Sequence, residues 1–355
     1  MINLIGPINQ LGYGITTLNI LKSLCKLTDV SYWPIGQIQP TNQNDVDIIL
    51  NAIENAKFFN SNAPCLRVWH QYDMAQFVGH GSHIAFPIFE LDTFTKQEKH
   101  HLKSANEIFV CSKWAKKIIV ENGIESDTSV IPLGVDLSIF KPHLSESKNT
   151  IFFNCGKWEI RKGHDILIDA FTKAFTPEDN AELWLMTENP FLNEEEKNKW
   201  ESLYKLNKYY TNGKIRLISR VNTQEEVYNI MKMADCGVFP ARAEGWNLEA
   251  LEMLACGKQI IITYYSAHTE FCNSSNSHII PIQEKELAYD NKWFFGQGSW
   301  GKIDDSHVEL ISNKMKSVHE NKQSGNFKLN ENGIETAKKF TWDNTAERIL
   351  DAIYT

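Results

Sequence analysis

The sequence has few of the features that mark a disulfide-stabilised, metal-binding or membrane-spanning chain. Its 355 residues include seven cysteines at wide spacings with no Cys-x-x-Cys pair, so we expect buried reduced thiols and neither disulfides nor a zinc site. No apolar run reaches the length of a membrane-spanning helix, and the mean hydropathy is −0.35. Residues 1–6 lack the basic segment of a signal peptide, so we expect a cytoplasmic protein.

Positive charge is also scarce. The 36 lysines and arginines are outnumbered by 44 aspartates and glutamates, which gives a net charge of −8. A surface of this charge is not built to bind a polyanion, so we expect no nucleic-acid binding. Only six of the basic residues are arginine. Any anionic ligand therefore needs a local cluster of basic side chains.

The composition and length indicate two globular domains. Hydrophobic residues make up 42% of the chain and charged residues 23%, and no internal repeat is visible. Short apolar runs alternate with helical periodicity, which is typical of parallel sheets covered by helices. We predict a first Rossmann-like domain over 1–142, a polar linker over 141–149, and a second Rossmann-like domain over 149–339. The segment 340–355 is predicted to be an amphipathic helix that packs on either domain.

The individual elements follow from the same patterns. The first domain is predicted to have strands at 1–5, 47–50, 65–69, 84–89, 107–111 and 130–132, with helices at 15–27 and 114–121. The second is predicted to have strands at 150–155, 182–186, 214–219, 236–239 and 259–263, with helices at 165–175, 224–234 and 247–256.

A cluster of basic residues joins a predicted strand to a predicted helix in the second domain. The segment 156–165 reads GKWEIRKGHD, so Lys157, Arg161 and Lys162 surround a turn that precedes a helix N-terminus. Helix N-termini favour anions, and lysine adds a point charge suited to phosphate. The segment therefore predicts a phosphate site, and a solvated loop is the alternative.

Two carboxylates lie in a second strand-to-helix connection. The segment 240–252 reads PARAEGWNLEALE, which places Glu244 in the turn and Glu252 five residues after a predicted cap at Asn247. The two carboxylates are expected to face different parts of one ligand, since an acid at such a place commonly accepts from both hydroxyls of a ribose. Glu249 is expected to face solvent.

Together these segments resemble family 4 glycosyltransferases of the GT-B fold. Glu244 and Glu252 match that family's E-x7-E motif, and Lys157 and Lys162 have the spacing of its paired basic residues. The segment 130–136 (VIPLGVD) resembles the family's segment before the interdomain linker. Phe340-Thr341-Trp342 resembles the start of its C-terminal helix. The resemblance covers nearly the whole chain and implies two Rossmann-like domains facing across a cleft, with that helix crossing back to the first domain.

The resemblance also implies roles for individual residues. Glu244 would contact sugar hydroxyls, Glu252 the ribose, and Lys157 with Lys162 the leaving diphosphate. The other donor-site residues that it implies are Gly12 and Gly14 in the N-terminal loop, His70 near the donor sugar, Val221 at the base, and Gly245, Trp246, Asn247 and Leu248 between the two glutamates.

The sequence departs from the family pattern at three places. Lys157 stands where arginine is common, Asn247 replaces a common glycine, and Gly12-Tyr13-Gly14 replaces a simpler glycine pair. Arg220 and Arg242 flank the predicted donor site, and ion pairs within the domain explain them equally well.

Two other patterns carry less specific signals. Asp45-Val46-Asp47 matches the D-x-D metal motif of a different transferase fold, but it precedes a predicted strand, so we expect a strand N-terminus. The region 96–117 holds six lysines, for which we expect a solvated helix face, with peripheral contact to an anionic membrane or acceptor as the alternative.

The sequence therefore predicts a retaining glycosyltransferase. It would move a hexose-type sugar from a nucleoside-diphosphate sugar, UDP in preference to GDP, to an unidentified hydroxyl acceptor such as a glycan or a lipid-linked sugar. No cofactor is expected, and a divalent metal is expected to be dispensable. The alternatives are a sugar-nucleotide epimerase or hydrolase and a catalytically silent nucleotide-sugar-binding module. A dinucleotide oxidoreductase is disfavoured because Thr17 stands where G-x-G-x-x-G needs its third glycine.

Overall fold

The computed structural model of the chain describes residues 1–40 and 42–354. The chain folds into two units. Unit 1 comprises Met1–Asp136 and Lys339–Thr355, and unit 2 comprises Leu137–Lys338. Each unit contains one six-stranded sheet whose strand pairs are all parallel, which confirms the predicted pair of Rossmann-like α/β domains.

Unit 1 alternates strands and helices. Its strands are β1 (Ile2–Gly6), β2 (Val30–Pro34), β3 (Cys65–Trp69), β4 (His83–Pro87), β5 (Glu107–Val110) and β6 (Asp127–Val130). Its helices are α1 (Gly12–Leu24), α2 (Gln43–Asn55), α3 (Lys96–Lys103), α4 (Lys113–Glu121) and α13 (Trp342–Tyr354), with a short 3-10 turn at Ala56–Phe58. The strand order in the sheet is β2-β1-β3-β4-β5-β6. The apolar residues of β1 are buried because helices cover both faces of a parallel sheet.

The last helix of the chain belongs to unit 1, as the resemblance implied. Its apolar stripe is buried, with Ala346 and Ile349 fully inaccessible to solvent. Thr345 Oγ1 donates to the carbonyl of Pro132 at 2.8 Å, and Ser23 Oγ of α1 donates to Asp343 at 2.8 Å. At Gly134 a Cβ atom would overlap the backbone of residues 341–342, so only glycine fits this crossing.

Unit 2 repeats the alternation and adds a hairpin. Its sheet strands are β7 (Thr150–Cys155), β8 (Ala181–Met186), β9 (Ile215–Leu217), β10 (Cys236–Phe239), β11 (Gln259–Tyr264) and β12 (His278–Pro281), in the order β12-β11-β10-β7-β8-β9. The antiparallel hairpin consists of β13 (Lys285–Tyr289) and β14 (Phe295–Gly301). The helices are α5 (His164–Ala174), α6 (Glu194–Lys205), α7 (Lys208–Thr211), α8 (Gln224–Met231), α9 (Leu248–Ala255), α10 (His268–Phe271), α11 (Asp305–Gln323) and α12 (Glu331–Ala337).

Some of the predicted elements were wrong or missing. Residues 47–50 are part of helix α2, not a strand, because Asn42 caps that helix by accepting from the amide of Asp45 at 2.9 Å. Asp45 is therefore in the first helical turn, where it is buried and pairs with Lys22 at 3.0 Å. The strand expected at 130–132 lies earlier, as β6. Strands β2 and β12, the hairpin, and helices α2, α3, α6, α7, α10, α11 and α12 were not predicted.

The segment 141–149, predicted as a linker, contains no helix or strand. Within residues 1–40 and 42–354, no helix is both long and apolar enough to cross a membrane. The six lysines of the region 96–117 lie on α3 and α4, and five of them are exposed.

Candidate active site

Two loops of unit 2 meet at the carboxyl end of its sheet. One follows β7 and carries Lys157, Arg161 and Lys162, and the other follows β10 and carries Glu244. The amide of Arg242 donates to the carbonyl of Arg161 at 2.6 Å, which joins the two loops directly. Gly163 has a φ of 75°, and a Cβ atom there would overlap the carbonyl of Pro240, so only glycine allows this close approach.

Glu244 is the centre of the cluster. Its carboxylate accepts from Arg161 Nη1 at 2.8 Å and from Lys162 Nζ at 2.9 Å, and its side chain is 7% exposed. Burial opposes ionisation, but the charges of Arg161 and Lys162 prevail and hold the pKa of Glu244 below its ordinary value. Burial likewise disfavours the charge on Lys162, and Glu244 and Glu249 raise its pKa overall. The structure thus brings together two of the residues predicted as catalytic, Glu244 and Lys162, as an ionised pair.

A second buried carboxylate, Glu159, also pairs with Arg161 and binds the third cation, Lys157. Arg161 donates to Glu159 through Nε at 3.1 Å and Nη2 at 2.8 Å, and Lys157 Nζ lies 3.1 Å from the same carboxylate. Three cations against two carboxylates leave a net charge of +1. Lys157 is the most accessible of the three cations because its side chain is 34% exposed. The cluster therefore has one positive charge in excess, on a side chain that a ligand can reach.

Asn247 shapes the start of helix α9. Its φ of 82° is in the left-handed region, which explains why a glycine suits this place. Its Oδ1 accepts from the amide of Ala250 at 3.1 Å, so its Nδ2 donates to His268 Nε2 at 2.9 Å. His268 Nδ1 then donates to the carbonyl of Thr263 at 2.8 Å. This pattern requires a neutral imidazole, and burial lowers the pKa of His268 to about 4.

The other residues predicted between the two glutamates are inside the loop. Gly245 is buried, Trp246 is 2% exposed and Leu248, the first residue of α9, is 8% exposed. The Trp246 ring packs against Phe271, with 5.1 Å between ring centroids. The side chains of Trp246 and Leu248 therefore pack inside the protein.

Glu252 differs from Glu244 in having no cation beside it. The carboxylate is 6% exposed and makes no hydrogen bond or ion pair within the described part of the chain. Burial, with a smaller contribution from Glu249, raises the pKa of Glu252 well above its ordinary value. Glu249, expected to face solvent, is half-buried and acts on both Glu252 and Lys162.

The Cys155 thiol marks where these groups converge at the end of β7. Burial raises its pKa, and the charges of Glu249, Glu252, Lys162 and Arg220 also act on it.

Arg220 is half-exposed, and its guanidinium makes no hydrogen bond to any residue that the structure describes. Arg242 instead pairs with Asp165 through two bonds of 2.9 and 2.8 Å, so the ion-pair interpretation holds for Arg242. Val221 follows Arg220 and is half-buried.

Of the residues predicted in unit 1, His70 lies in a group of aromatic rings at the carboxyl end of the sheet. His70 follows β3, and its ring lies 4.5 Å from that of Tyr13 and 5.1 Å from that of Tyr72, measured between centroids. Gly14 leaves no room for a Cβ atom, which would overlap the backbone of Asn9, whereas Gly12 has open space. The lack of a side chain at Gly14 is thus required by the protein's own packing.

Sequence reasoning missed three features of these sites. Arg161 was placed in the basic turn without a role, yet it bridges both buried carboxylates. His268 and His164 were not singled out, although each is buried, and burial lowers the pKa of His164 to about 3. Among residues 1–40 and 42–354, no group of three or more His, Cys, Asp and Glu side chains is arranged to hold a metal ion.

The loops just described lie within a segment that matches a known family. Residues 148–290, about two fifths of the chain, match the family described as Glycosyl transferases group 1. Over this segment the chain is similar to group 1 glycosyltransferases. The matched segment holds all of the cluster around Glu244, together with the hairpin strand β13.

Two curated relatives are similar over part of the chain. A GDP-mannose-dependent alpha-(1-6)-phosphatidylinositol dimannoside mannosyltransferase of Mycobacterium tuberculosis is 26% identical over 173 residues, which are 46% of this chain and 42% of that protein. An uncharacterised glycosyltransferase of Methanocaldococcus jannaschii is 26% identical over 248 residues, or 69% of this chain and 58% of that protein. The match thus spans less than two thirds of either relative.

Solved structures match the chain over its whole length. Anabaena HepE in complex with UDP and glucose has a TM-score of 0.72 at 13% identity and covers 100% of this chain and 99% of its own. Sucrose-phosphate synthase from Thermosynechococcus elongatus has a TM-score of 0.71 at 15% identity and covers 99% of this chain and 97% of its own. At these identities the likeness shows the fold, and the fold is GT-B.

Proposed function

We propose that the protein is a retaining glycosyltransferase that moves a hexose-type sugar from a nucleoside-diphosphate sugar to a hydroxyl acceptor. The observation that carries the proposal is the cluster around Glu244, where three cations and two carboxylates leave an accessible positive charge at the carboxyl end of a parallel sheet. Ligands of open α/β sheets bind at this edge. The match of residues 148–290 to group 1 glycosyltransferases supports the same activity.

The diphosphate of the donor would bind to Lys157, Lys162 and Arg220. Lys162 is already fixed in place by Glu244, so its charge needs no reorganisation when a ligand arrives. Preorganised charge of this kind stabilises the negative charge that develops on a leaving group, which is commonly the largest catalytic contribution. The amides at the start of α9 add donors for the same phosphates.

The nucleoside would lie next to Glu252 and Val221. A buried carboxylate without a protein partner is free to accept from both hydroxyls of a ribose, and Glu252 has this arrangement. UDP is the proposed nucleotide. GDP is the competing candidate, because the mycobacterial relative acts with GDP-mannose.

Glu244 would accept from hydroxyls of the transferred sugar while Arg161 and Lys162 keep it ionised. For retention we propose attack on the same face as the leaving group. The acceptor oxygen bonds to the anomeric carbon as the bond from that carbon to the diphosphate oxygen breaks. The acceptor proton passes to a phosphate oxygen, so no protein base is required.

Unit 1 is proposed to bind the acceptor, and the sugar contacts of Gly12, Gly14 and His70 stay predictions. The acceptor would be a glycan or a lipid-linked sugar. A divalent metal is proposed to be dispensable, since Lys157, Lys162 and Arg220 would supply the positive charge at the diphosphate. Binding with and without magnesium tests this point directly.

Calorimetric titration with UDP and GDP, with and without magnesium, is the test. We expect one nucleotide to bind independently of magnesium, and Lys157→Ala to weaken binding about tenfold, because it removes the accessible charge. Lys116→Ala, an exposed lysine of α4, is the control and should bind as the parent does. If neither UDP nor GDP binds, the proposal is refuted. Turnover of the nucleotide sugar without an acceptor would point to the epimerase or hydrolase. Nucleotide binding without sugar transfer to any acceptor would point to a catalytically silent binding module.

A further inference from the structure

The ammonium of Lys157 meets two groups of different kinds. Its Nζ lies 3.1 Å from the carboxylate of Glu159 and 5.2 Å from the centroid of the Phe191 ring. An ammonium within about 6 Å of a ring centroid is attracted by the negative face of the ring. The function proposed above assigns no role to Phe191.

Phe191 is placed beside Lys157 by the loop that follows β8. The amide of Trp158, the residue after Lys157, donates to the carbonyl of Thr187 at 2.8 Å. The buried side chain of Asn189 donates to the carbonyl of Trp158 at 3.1 Å and accepts from the amide of Phe191 at 3.0 Å. These bonds fix the backbone at Phe191 relative to the backbone at Lys157.

Trp293, in the turn of the hairpin, packs against Phe191. The two ring centroids are 6.0 Å apart and the ring planes meet at 80°, which is the edge-to-face arrangement that aromatic pairs favour. The side chain of Asp290 shapes the turn, because its Oδ1 accepts from the three amides of residues 292–294 at 2.8–2.9 Å. The hairpin therefore presents Trp293 to Phe191 from a well-defined turn.

An ion pair joins the same turn to helix α6. Lys292 Nζ contacts both carboxylate oxygens of Glu196, at 2.7 and 2.8 Å. Glu196 is in the first turn of α6, and this helix follows Phe191 closely in the chain. The hairpin turn, the start of α6 and the loop after β8 thus form one connected support for the Phe191 ring.

Burial of apolar surface does not explain why the two rings lie here. Phe191 is 49% exposed and Trp293 is 41% exposed, so neither ring belongs to the hydrophobic core. The charge of Lys157 offers a reason. A ring face attracts an ammonium without neutralising it, whereas a further carboxylate would cancel the excess positive charge of the cluster. Because an ammonium has three N–H donors, donors remain for an anionic ligand when one is directed to Glu159.

We propose that Phe191, supported by Trp293, is a positioning residue for Lys157. Its ring holds the ammonium where an anionic ligand meets it, while the positive charge stays available. Lysine has a flexible side chain of four carbons, so a position fixed in advance reduces the freedom that is lost on binding. That the ligand is the diphosphate of a nucleotide sugar rests on the proposed function.

The position of Lys157 can be measured without any ligand, by NMR of the full chain carrying ¹³C-labelled lysine. The signal that disappears in Lys157→Arg identifies the Cε–Hε group of Lys157. We expect the ring current of Phe191 to shift this signal upfield from those of exposed lysines. Phe191→Leu should abolish the shift, Phe191→Tyr should keep it, and Trp293→Ala should reduce it. Phe58→Leu, at an exposed phenylalanine of unit 1, is the matched control and should leave it unchanged.

Titration of the same variants with UDP, GDP and inorganic pyrophosphate measures what the position contributes to binding. We expect Phe191→Leu to raise the Kd about two- to fivefold, the range of an exposed cation–π contact, and Phe191→Tyr to keep the parent value. In a Lys157→Ala background, Phe191→Leu should have no further effect, because Phe191 acts through Lys157.

An unshifted Lys157 signal in the parent would overturn the inference, as would a shift that persists in Phe191→Leu. An unchanged shift in Trp293→Ala would overturn the role of Trp293. Equal weakening by Phe191→Leu with and without Lys157 would also overturn the inference, since Phe191 would then act on the ligand or the fold directly. If no ligand binds, the proposed function fails, and the spectrum alone decides whether Phe191 positions Lys157.

Discussion

The carboxyl ends of the two sheets carry different kinds of side chain, charged in unit 2 and aromatic in unit 1. In unit 2, Lys157, Arg161 and Lys162 are held by two buried carboxylates. In unit 1, His70 lies among aromatic rings, with its centroid 4.5 Å from that of Tyr13. The same architecture therefore carries a fixed electrostatic site on one sheet and a packed aromatic surface on the other.

The two edges should therefore differ in how much stability is lost when one side chain is removed. In unit 2 the charges depend on one another, since removing Arg161 takes a cation from both buried carboxylates. In unit 1 the rings contribute through packing, which tolerates the loss of one member better. The comparison can be tested by removing one member from each side.

The largest effect is expected for Arg161→Met. This change leaves Glu159 without its bonds from Arg161 and Glu244 without one of its two cations. We expect the free energy of unfolding to fall by about 3–5 kcal/mol, as for other broken buried pairs. Chemical denaturation measures it. Lys338→Met is the control, because Lys338 pairs with Glu335 but the two side chains are 56% and 63% exposed, and it should cost at most about 1 kcal/mol.

A smaller effect is expected at Asn247. Asn247→Ala places a Cβ-bearing residue without a polar side chain at a φ of 82° and removes the cap and the bond to His268. We expect a loss of about 2–3 kcal/mol. Asn247→Gly removes the same bonds without the strain, so it should be about 1–2 kcal/mol more stable than the alanine variant. Equal stability of the two variants in thermal unfolding would contradict the strain argument.

The corresponding change in unit 1 sharpens the comparison. His70→Ala removes a half-exposed ring from its aromatic neighbours, and we expect a loss of about 0.5–1.5 kcal/mol. Denaturation under the conditions used for Arg161→Met gives the measurement. A loss as large as that of Arg161→Met would contradict the distinction between the two edges.

The smallest effect is expected for Glu252→Gln at acid pH, where the variant and the parent should be equally stable. Its pKa is raised in the folded protein, so the parent loses stability as pH rises through that pKa, whereas Glu252→Gln stays neutral. The variant should match the parent below about pH 4 and become the more stable of the two as pH rises. Urea unfolding at several pH values measures the difference. A constant difference across the range would show that ionisation of Glu252 is not the cause.

The sequence predicted the sheet strands better than the rest of the fold. A buried parallel strand such as 236–239 consists of apolar residues and glycine, so its bounds are visible locally. Residues 47–50 looked like such a run, but the cap at Asn42 starts a helix before them. The hairpin over 285–301 was missed because Gly296, Gly298 and Gly301 interrupt its pattern.

For the candidate site, the sequence indicated two residues that the structure brings together, but not how they pair. Lys162 and Glu244 were singled out from two segments that resemble family 4 glycosyltransferases. Their ion pair joins residues 82 positions apart, and such a contact depends on how β7 and β10 lie side by side. A local sequence pattern also does not show which side chains are buried. It therefore could not predict that Lys157 is partly exposed or that Glu252 is buried without a cation beside it.

The position of helix α13 has a consequence for how the chain is synthesised. Unit 1 is completed by Lys339–Thr355, but the ribosome must first deliver all of Leu137–Lys338. During that interval the surface of α1 that Asp343 later meets has no partner from α13. Unit 2, by contrast, is one continuous segment and can fold as soon as it emerges. The nascent chain therefore carries an unfinished first domain through most of its synthesis, and chaperones that bind exposed apolar helix surfaces would find their target there.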